Sequence, residues 1–441
     1  MHTDDHNLII ADIAGQLKNR PRDRRVSLVR QGVSHKVPLA HEKSAENYRV
    51  QVGRLNRILH IDAEKRICVA ESGVTFSDLV RETLKYGLVP YTVPELKTIT
   101  IGGAVSGCSV ESMSYKYGGF HDSCTAYEII TASGEVLVCS RERNAELFEM
   151  VHGSFGTLGI ITKLTFKLHP AKPFVKMFYR KYETFLDYQR AIQDEYDHPQ
   201  FDFMDGIIHA RNHFTLCFGR FSDEAPYTSS YEGMKIFYKS TRTREEDYFK
   251  THDYFFRYDT ECHWISRNYG LENPVLRFLF GRWFLSSTKM IKTAQKLRPI
   301  LKNVKPDVVV DVFVPMSKFQ EFYDFYEREF DYFPLWIVPY RISKKYPWIN
   351  GKFMEGIEDE LFIDCAIYGL RQPENKDYYK MMDEELLKLR GLKTLISHNR
   401  YDPETFWKIY NRENYDRAKK ITDPENVFQG LYEKTHRKKA C

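Results

Sequence analysis

The first third of the chain alternates short apolar strands with amphipathic helices. Apolar side chains recur at helical spacing across Asn7–Lys18, which predicts a short amphipathic helix. Val26–Arg30 predicts a strand, and Val50–Leu59 and Ile67–Glu71 predict two more, with the charged residues 62–65 as the turn between them. This pattern is typical of a mixed α and β domain rather than of a helical bundle.

The same pattern continues to about residue 170. Thr75, with an acidic residue three positions later, predicts a capped helix that ends before Gly87. Tyr127–Cys139 predicts a hairpin that turns at Ser133-Gly134. A predicted helix over Asn144–Val151 then precedes an apolar strand that begins at Ile160. This order of elements agrees with an α+β domain built of two small sheets.

The composition changes after Pro170, where tyrosine, phenylalanine, tryptophan and arginine become frequent. Strand-like runs here alternate with two helical stretches, which favours an antiparallel sheet with helices on one face. The predicted strands are Phe214–Phe218, Val308–Val314, Leu335–Arg341 and Leu361–Tyr368, and the predicted helices are Phe319–Phe330 and Tyr378–Arg390. Asp402 begins a further capped helix near the C-terminus.

Length, charge and cysteine spacing limit the classes of protein to which the chain can belong. A chain of 441 residues can form two domains, and a net charge of +5 without a nucleic-acid motif argues against a nucleic-acid partner. The eight cysteines show no metal-ligand spacing, so we expect no metal site and reduced thiols. The polar N-terminus and the lack of a long apolar run predict a cytoplasmic protein without a transmembrane segment. The basic cluster at 436–439 adds the expectation of a weak peripheral membrane contact.

Two glycine segments are the strongest chemical signal. The first glycine segment, Pro94–Gly107, contains Gly102-Gly103, and the second glycine segment, Gly153–Gly159, has a glycine at every third position. Backbone without side chains can approach a bulky anion closely. The spacing matches neither the dinucleotide-binding Rossmann pattern nor an NTPase phosphate loop.

The two segments together resemble the FAD-binding domain of the vanillyl-alcohol-oxidase type. The resemblance narrows to the Δ24-sterol reductases, flavoenzymes that saturate a side-chain alkene, and it extends from roughly residue 50 to the C-terminus. It is carried by Glu111–Gly118, Cys124–Glu128, Asn273–Gly281, Val314–Met316, Tyr332–Trp336 and Glu404–Trp407.

This resemblance implies an α+β fold, with a PCMH-type FAD-binding domain of two small subdomains and a cap domain with an antiparallel sheet and flanking helices. The implied divisions are an N-terminal extension (1–25), the FAD-binding domain (26–172), the cap (173–400) and a C-terminal segment that returns to the FAD-binding domain (401–441). Many relatives attach the flavin covalently through a histidine in a Gly-Gly-His-Ser loop. The corresponding loop, Gln31–Lys36, keeps Gly32 alone of the glycine pair, which favours non-covalent FAD over attachment through His35. NADPH or NADH is the implied electron donor.

The residues expected to contact FAD lie in that loop and in the two glycine segments with their flanks. Glu95 could reach a ribose hydroxyl or cap a turn. The full set is Gly32, Ser34, His35, Glu95, Thr100, Ile101, Gly102, Gly103, Ala104, Ser106, Gly107, Ser109, Gly156, Thr157, Gly159 and Ile160.

Alkene reduction requires a hydride on one carbon and a proton from a positioned acid on the other. Glu111, Tyr117 and His121, which follow the first glycine segment, are the candidate acids. The leading hypothesis is FAD-dependent reduction of a carbon–carbon double bond in an apolar substrate, which is isoprenoid, sterol-like or acyl. The alternatives are an FAD-dependent dehydrogenase or oxidase of an alcohol, hydroxy acid or sugar, and a non-catalytic flavin- and lipid-binding protein. Pro274–Ser287, rich in Leu, Phe and Trp, is expected to border an apolar cavity that reaches the flavin.

Overall fold

A computed structural model describes the chain over six ranges and shows an α+β fold, as predicted. The described residues are 2–30, 47–268, 270–289, 308–342, 345–373 and 375–436. Two sheets form the N-terminal part, and a third sheet forms the cap.

The N-terminus is an amphipathic helix packed on a small parallel sheet. Helix α1 (His2–Lys18) contains the predicted helical stretch and begins five residues before it. Its buried Ile9, Ile13 and Leu17 pack in one apolar cluster with strands β1 (Val26–Val29) and β2 (Tyr48–Gln51).

A six-stranded sheet makes up the rest of the N-terminal part, in the order β3-β4-β8-β6-β7 with β5 paired to β8. The prediction of one strand over Val50–Leu59 is wrong, because the chain turns at Gly53-Arg54, before Leu55, and enters a different sheet. The Leu55 carbonyl there accepts a hydrogen bond from the Gly73 amide at 2.7 Å. The strands are β3 (Ile58–Asp62), β4 (Ile67–Glu71), β5 (Leu88–Pro90), β6 (Cys124–Ile130), β7 (Val136–Ser140) and β8 (Ile160–Pro170).

Short helices connect these strands. The Thr75 hydroxyl caps the first of them by accepting from the Asp78 amide, and Gly87 ends the following turn with φ at 66°. The helices are α2 (Phe76–Thr83), α3 (Ile101–Gly107), α4 (Ser114–Tyr117) and α5 (Ala145–Met150), with 3₁₀ turns at Leu84–Tyr86 and Phe120–Ser123.

The cap sheet has eight strands in the order β12-β9-β11-β10-β14-β15-β13-β16, and its neighbouring strands pair antiparallel. The four predicted cap strands are present, whereas β9, β10, β12 and β16 were not predicted. The strands are β9 (Phe174–Tyr182), β10 (Phe203–Ala210), β11 (His213–Ser222), β12 (Glu246–Lys250), β13 (Val308–Pro315), β14 (Leu335–Arg341), β15 (Leu361–Leu370) and β16 (Leu392–Lys393).

Helices of the cap cover one face of this sheet and border its edges. Both predicted helices are present, each ending one residue earlier than expected. The helices are α6 (Phe185–Asp197), α7 (Phe237–Ser240), α8 (Thr251–Phe255), α9 (Ile265–Asn268), α10 (Pro274–Phe284), α11 (Phe319–Glu329) and α12 (Tyr378–Leu389), with 3₁₀ turns at Asp259–Trp264 and Met316–Lys318.

The two faces of the cap sheet belong to different cores. Alternate residues of β15, such as Ile363 and Cys365, pack with α6, α11 and α12. Their neighbours Phe362 and Ala366 share an apolar cluster with Ile101 of helix α3. The second face of the cap sheet is therefore turned toward the N-terminal part, and the candidate site lies between them.

The last helices pack back on the N-terminal part. Asp402 caps the first of them by accepting from the Thr405 amide at 2.8 Å, as predicted. Arg417 pairs with Glu146 of α5 at 2.9 Å. These helices are α13 (Pro403–Ile409), α14 (Arg412–Thr422) and α15 (Leu431–Thr435). None of the described helices has both the length and the apolar character needed to cross a membrane.

Candidate active site between the cap sheet and the glycine segments

The two glycine segments, fifty residues apart in sequence, are in direct contact. The Gly153 amide donates to the Val105 carbonyl at 3.3 Å, and the Phe155 amide donates to the Ser106 carbonyl at 3.1 Å. The C-terminal end of α3 is thereby fixed to the second glycine segment.

The backbone amides at the start of α3 already have acceptors in the protein. The amides of Ile101 and Gly102 donate to the carbonyls of Val74 and Ser72, at 3.0 and 2.9 Å. Those of Gly103 and Ala104 donate to the hydroxyl and carbonyl of Thr100. A Cβ at position 102 would lie 2.6 Å from the Ser72 Cβ and 2.9 Å from its carbonyl oxygen. Glycine at 102 is therefore required first by close packing against Ser72, a reason that the sequence did not reveal.

A cavity opens where the first glycine segment ends and the second begins. It is lined by Gly107, Phe155, Trp348, Leu395, Trp407 and Tyr410, among others. A Cβ at Gly107 would meet nothing closer than 3.9 Å, so the backbone here leaves room for a neighbouring group. Apolar and aromatic walls suit a planar ring system, and this cavity therefore fits one end of FAD.

The second glycine segment is held by the C-terminal segment of the chain. The Lys434 ammonium donates to the Phe155 carbonyl at 2.7 Å, and the Lys419 ammonium donates to the Thr157 carbonyl at 2.8 Å. Gly156 has φ at 72°, which favours glycine. Both lysines thus fix the shape of this segment beside the cavity.

The other predicted FAD contacts occupy several environments. Gly159 packs against β6, where a Cβ would lie 2.9 Å from the Ile130 carbonyl oxygen, and Ile160 pairs with Ile130 as β8 begins. The Ser106 hydroxyl donates to the Gly102 carbonyl at 2.7 Å, and the Ser109 carbonyl accepts from the backbone amide of residue 120 at 3.0 Å. Gly32, Ser34 and His35 lie outside the described residues.

A buried ion cluster links the N-terminal part to the cap. The guanidinium of Arg257 lies 3.1 Å from the Glu111 carboxylate and 3.0 Å from the Asp205 carboxylate of β10, and all three side chains are buried. Tyr258 and Trp336 each donate a hydrogen bond to Asp205, at 2.8 and 3.0 Å. Burial raises the pKa of Glu111, the charge of Arg257 opposes this rise, and Asp205 adds to it. One cation therefore compensates two buried carboxylates.

A second group of acids, Glu95, Asp311 and Asp364 with Tyr368, lies beside the ion cluster; we call it the carboxylate group. Asp311 of β13 and Asp364 of β15 share the sheet face that is turned toward α3, and the Tyr368 hydroxyl donates to Asp311 at 2.5 Å. The Oδ1 atom of Asp364 is buried and has no hydrogen-bond partner among the described residues.

Burial perturbs the titration of this carboxylate group. It raises the pKa of Glu95 to about 8, and the charges of Glu111 and Asp311 contribute to the rise. Burial also raises the pKa of Asp311 to about 6 and that of Asp364 above its ordinary range, the latter with help from Asp311 and Glu95. Because the pKa of Glu95 is about 8, this carboxyl group holds a proton at neutral pH.

The three acids proposed from the sequence lie in three separate places. The Tyr117 hydroxyl lies 3.1 Å from the Nε2 atom of His169. The His121 ring centroid lies 4.9 Å from that of His152. Glu111 belongs to the buried ion cluster, and its charge contributes to the raised pKa of Glu95.

Sequence reasoning missed Asp205, Asp311 and Asp364, although a signal was present. Asp311 and Asp364 each stand alone in strands that are otherwise almost entirely apolar. A carboxylate inside a buried strand is costly unless it has a partner or a function, so such a position marks a candidate site.

The expectation for Pro274–Ser287 is not met by its described side chains. Helix α10 directs Val275, Phe278 and Leu279 to solvent, and none of them lines the cavity at Gly107. The pattern of large apolar residues predicts a cavity wall, whereas Val275, Phe278 and Leu279 are exposed in the structure.

Comparison with known proteins covers both halves of the chain. The family described as an FAD binding domain matches residues 20–140. Human Δ(24)-sterol reductase is 25% identical over 413 residues, covering 89% of this chain and 78% of that protein, and a Caenorhabditis elegans homologue is 25% identical over 442 residues, covering 91% and 81%. Cytokinin dehydrogenase 1 of Arabidopsis thaliana is 35% identical over 139 residues, covering 31% of this chain and 24% of that protein.

Proposed function

The chain is an FAD-binding oxidoreductase of the vanillyl-alcohol-oxidase superfamily, and from this premise we propose that it reduces a carbon–carbon double bond in an apolar substrate. The observation that carries the proposal is that similarity to sterol reductases extends over 89% of the chain and therefore includes the cap. Phe313 and Leu392 of the cap sheet would then border the space beside a bound cofactor. An isoprenoid, sterol-like or acyl chain is the proposed substrate class.

The walls between the two parts support an apolar substrate. Phe313 and Leu392 of the cap sheet line the cavity at Gly107 together with Trp348 and Trp407. Burial of each methylene of a chain contributes about 0.8 kcal/mol, so such walls can hold a long apolar substrate with little polar recognition.

Bound FAD would supply the hydride for one alkene carbon, and Gly107 and Phe155 would border its ring system. Glu95 holds a proton at neutral pH and is the acid that we propose for the other carbon. Asp311 and Tyr368 share a hydrogen bond next to it and keep a second exchangeable proton nearby. The ion pair with Arg257 holds Glu111 in place and thereby limits the motion of the loop that carries Glu111.

The direction of electron transfer tests this function. In anaerobic mixing, photoreduced enzyme should regain its oxidised-flavin absorbance rapidly when an isoprenoid or steroidal alkene is added, and should stay reduced with the saturated analogue. NADPH and NADH, the proposed electron donors, are then mixed separately with the oxidised enzyme. Reduction of the oxidised flavin by an alcohol, with inertness toward alkenes, would replace this proposal by a dehydrogenase.

The dehydrogenase alternative has one specific observation in its favour. The similarity to cytokinin dehydrogenase reaches 35% identity, although it is confined to 139 residues. In that reaction an ionised carboxylate such as Asp311, whose pKa is raised to about 6, would accept a proton instead of donating one. Inertness in both directions would favour a non-catalytic flavoprotein.

FAD should be bound without a covalent link, because the loop at His35 retains a single glycine of the pair found in many relatives. The purified protein should be yellow, and acid precipitation should leave FAD in the supernatant. Flavin that remains with the precipitate would instead indicate a covalent bond.

Replacement of Glu95 with glutamine should lower the rate of alkene-dependent flavin reoxidation by about a hundredfold, the usual effect of losing a positioned acid. In the unmodified enzyme this rate should be constant near pH 7 and fall tenfold per pH unit above about 8, because Glu95 then loses its proton. Stopped-flow traces across this pH range give both results. The exposed Glu64→Gln variant serves as control, and an unchanged rate in Glu95→Gln would assign the acid elsewhere.

A further inference from the structure

Helix α1 is joined to the six-stranded sheet by one buried histidine. The Nδ1 atom of His6 lies 2.8 Å from the Glu71 carboxylate of β4, and its Nε2 atom lies 2.8 Å from the Glu128 carboxylate of β6. We call these three residues the histidine clamp; the His6 side chain within it is buried. An imidazole ring carries a proton on both nitrogens only as the cation, so two ionised carboxylates at this distance require a charged His6.

Neighbouring cations favour the ionised form of both carboxylates. The Arg57 guanidinium lies 3.2 Å from Glu71, and the Lys163 ammonium lies 2.9 Å from Glu128. The proton of the clamp therefore resides on the ring of His6 and not on a carboxyl group. The charged groups that face His6 or its two partners are Asp5, Arg57, Glu71, Glu128 and Lys163.

These contacts determine how the clamp titrates. Burial opposes the charge of His6, but its hydrogen bonds to Glu128 and Glu71 outweigh burial and raise its pKa. Burial also opposes the charge of both glutamates, yet their hydrogen bonds to His6 lower the pKa of Glu71 and bring that of Glu128 down to about 2. The clamp thus stabilises the docked helix most between about pH 4.5 and 6.5, and this stabilisation is lost as the pH rises through the raised pKa of His6.

Helix α1 packs on residues that support the second glycine segment. Its buried Ile9 shares an apolar cluster with Ile160, which directly follows that segment, and with Phe428. The Lys419 ammonium donates both to the Phe428 carbonyl, at 2.9 Å, and to the Thr157 carbonyl of the segment, at 2.8 Å. Detachment of α1 would remove packing from Ile160 and Phe428 and would thereby loosen the second glycine segment.

We propose that the histidine clamp is a pH-sensitive latch through which the docking of α1 controls the retention of FAD. The latch is closed while His6 is an imidazolium ion. It opens when the ring loses a proton, because one carboxylate then faces a ring nitrogen that carries no hydrogen. This proposal rests on FAD binding and does not depend on the reaction proposed above.

Hydrogen exchange of the flavin-loaded full chain, followed by mass spectrometry, tests the latch. Protection of α1, normalised to the unfolded chain at the same pH, should fall at least about tenfold between pH 6.5 and 9.5, because a hydrogen bond between charged groups is lost. Protection of the cap helix α11 should not change. In His6→Gln, α1 should be weakly protected at both pH values, whereas the exposed His60→Gln should behave as the unmodified chain.

Gel filtration at the same two pH values measures the FAD that stays bound. The unmodified chain and His60→Gln should keep their flavin at pH 6.5 and lose part of it at pH 9.5, whereas His6→Gln should lose flavin at both. Glu95, whose pKa is about 8, titrates in all three proteins, so a loss confined to His6→Gln at pH 6.5 reports the clamp.

Two results would overturn the proposal. Protection of α1 that does not change with pH in the unmodified chain would show that no latch exists, and this comparison holds even where the His6 variant fails to fold. An α1 that loses protection at pH 9.5 while all FAD remains bound would show that the helix does not control the cofactor.

Discussion

Replacing Arg257 with methionine should destabilise the protein by about 3–5 kcal/mol, because Glu111 and Asp205 would stay buried without a cation. The loss of packing is small, since methionine has a similar unbranched stem. Urea unfolding followed by circular dichroism gives the free energy of unfolding of each variant. The absorbance of bound flavin shows whether the N-terminal part and the cap separate at lower urea.

Two further variants isolate the charge effect. Changing Arg417 to methionine should lower the free energy of unfolding by less than about 1 kcal/mol, because its ion pairs with Glu146 and Glu413 lie at the surface. Adding Glu111→Gln and Asp205→Asn to the Arg257 variant should restore part of the lost stability, because no uncompensated charge then remains. A single Arg257 variant as stable as the Arg417 variant would show that the ion cluster is not a structural link.

Replacing Gly102 with valine should prevent folding of the N-terminal part and abolish FAD binding. Even alanine at this position should destabilise by about 1–3 kcal/mol, since its Cβ would lie 2.6–2.9 Å from Ser72 atoms that include backbone. Alanine is favoured over glycine inside a helix by about 1 kcal/mol, so a net loss of stability means that the clash outweighs this gain. Thermal melting and FAD content measure the two effects.

A variant at Gly103 distinguishes the effect of a steric clash from the effect of a lost contact with the cofactor. A Cβ there would meet the Thr100 hydroxyl oxygen at 3.1 Å and nothing closer, and Gly15, with no atom within 4 Å, is the neutral control. Gly103→Ala should therefore fold normally, and any loss of FAD in this variant reports contact with the cofactor itself. Normal stability in Gly102→Ala would contradict the packing that the structure shows.

Elements with a local signal could be predicted from the sequence. Thr75 and Asp402 begin helices because each places an oxygen to accept a backbone amide, a property of a few neighbouring residues. The apolar runs at β13, β14 and β15 likewise fix strands without knowledge of their partners. The apolar run Val50–Leu59 gave a wrong prediction because the chain turns within it. The Leu55 carbonyl after the turn binds the amide of Gly73, which lies outside the run.

The site was less predictable because its contacts are long-range. Resemblance placed both glycine segments near the cofactor, but it did not show that Ser72 occupies the space beside Gly102. Arg257 and Glu111 form an ion pair although they are 146 positions apart in the chain, and no local pattern connects them. Asp311 and Asp364 meet through strand pairing, which turns both toward the same face.

The lysines that hold the second glycine segment also determine when this segment can reach its final structure during synthesis. Lys434 bonds to the carbonyl of Phe155, 279 positions earlier in the chain. During synthesis the N-terminal part emerges first, yet its second glycine segment lacks this bond until the whole cap has left the ribosome. A nascent chain should therefore retain flavin only after Lys434 has emerged, and C-terminal truncation before Lys419 should yield a folded cap beside an N-terminal part that does not retain FAD.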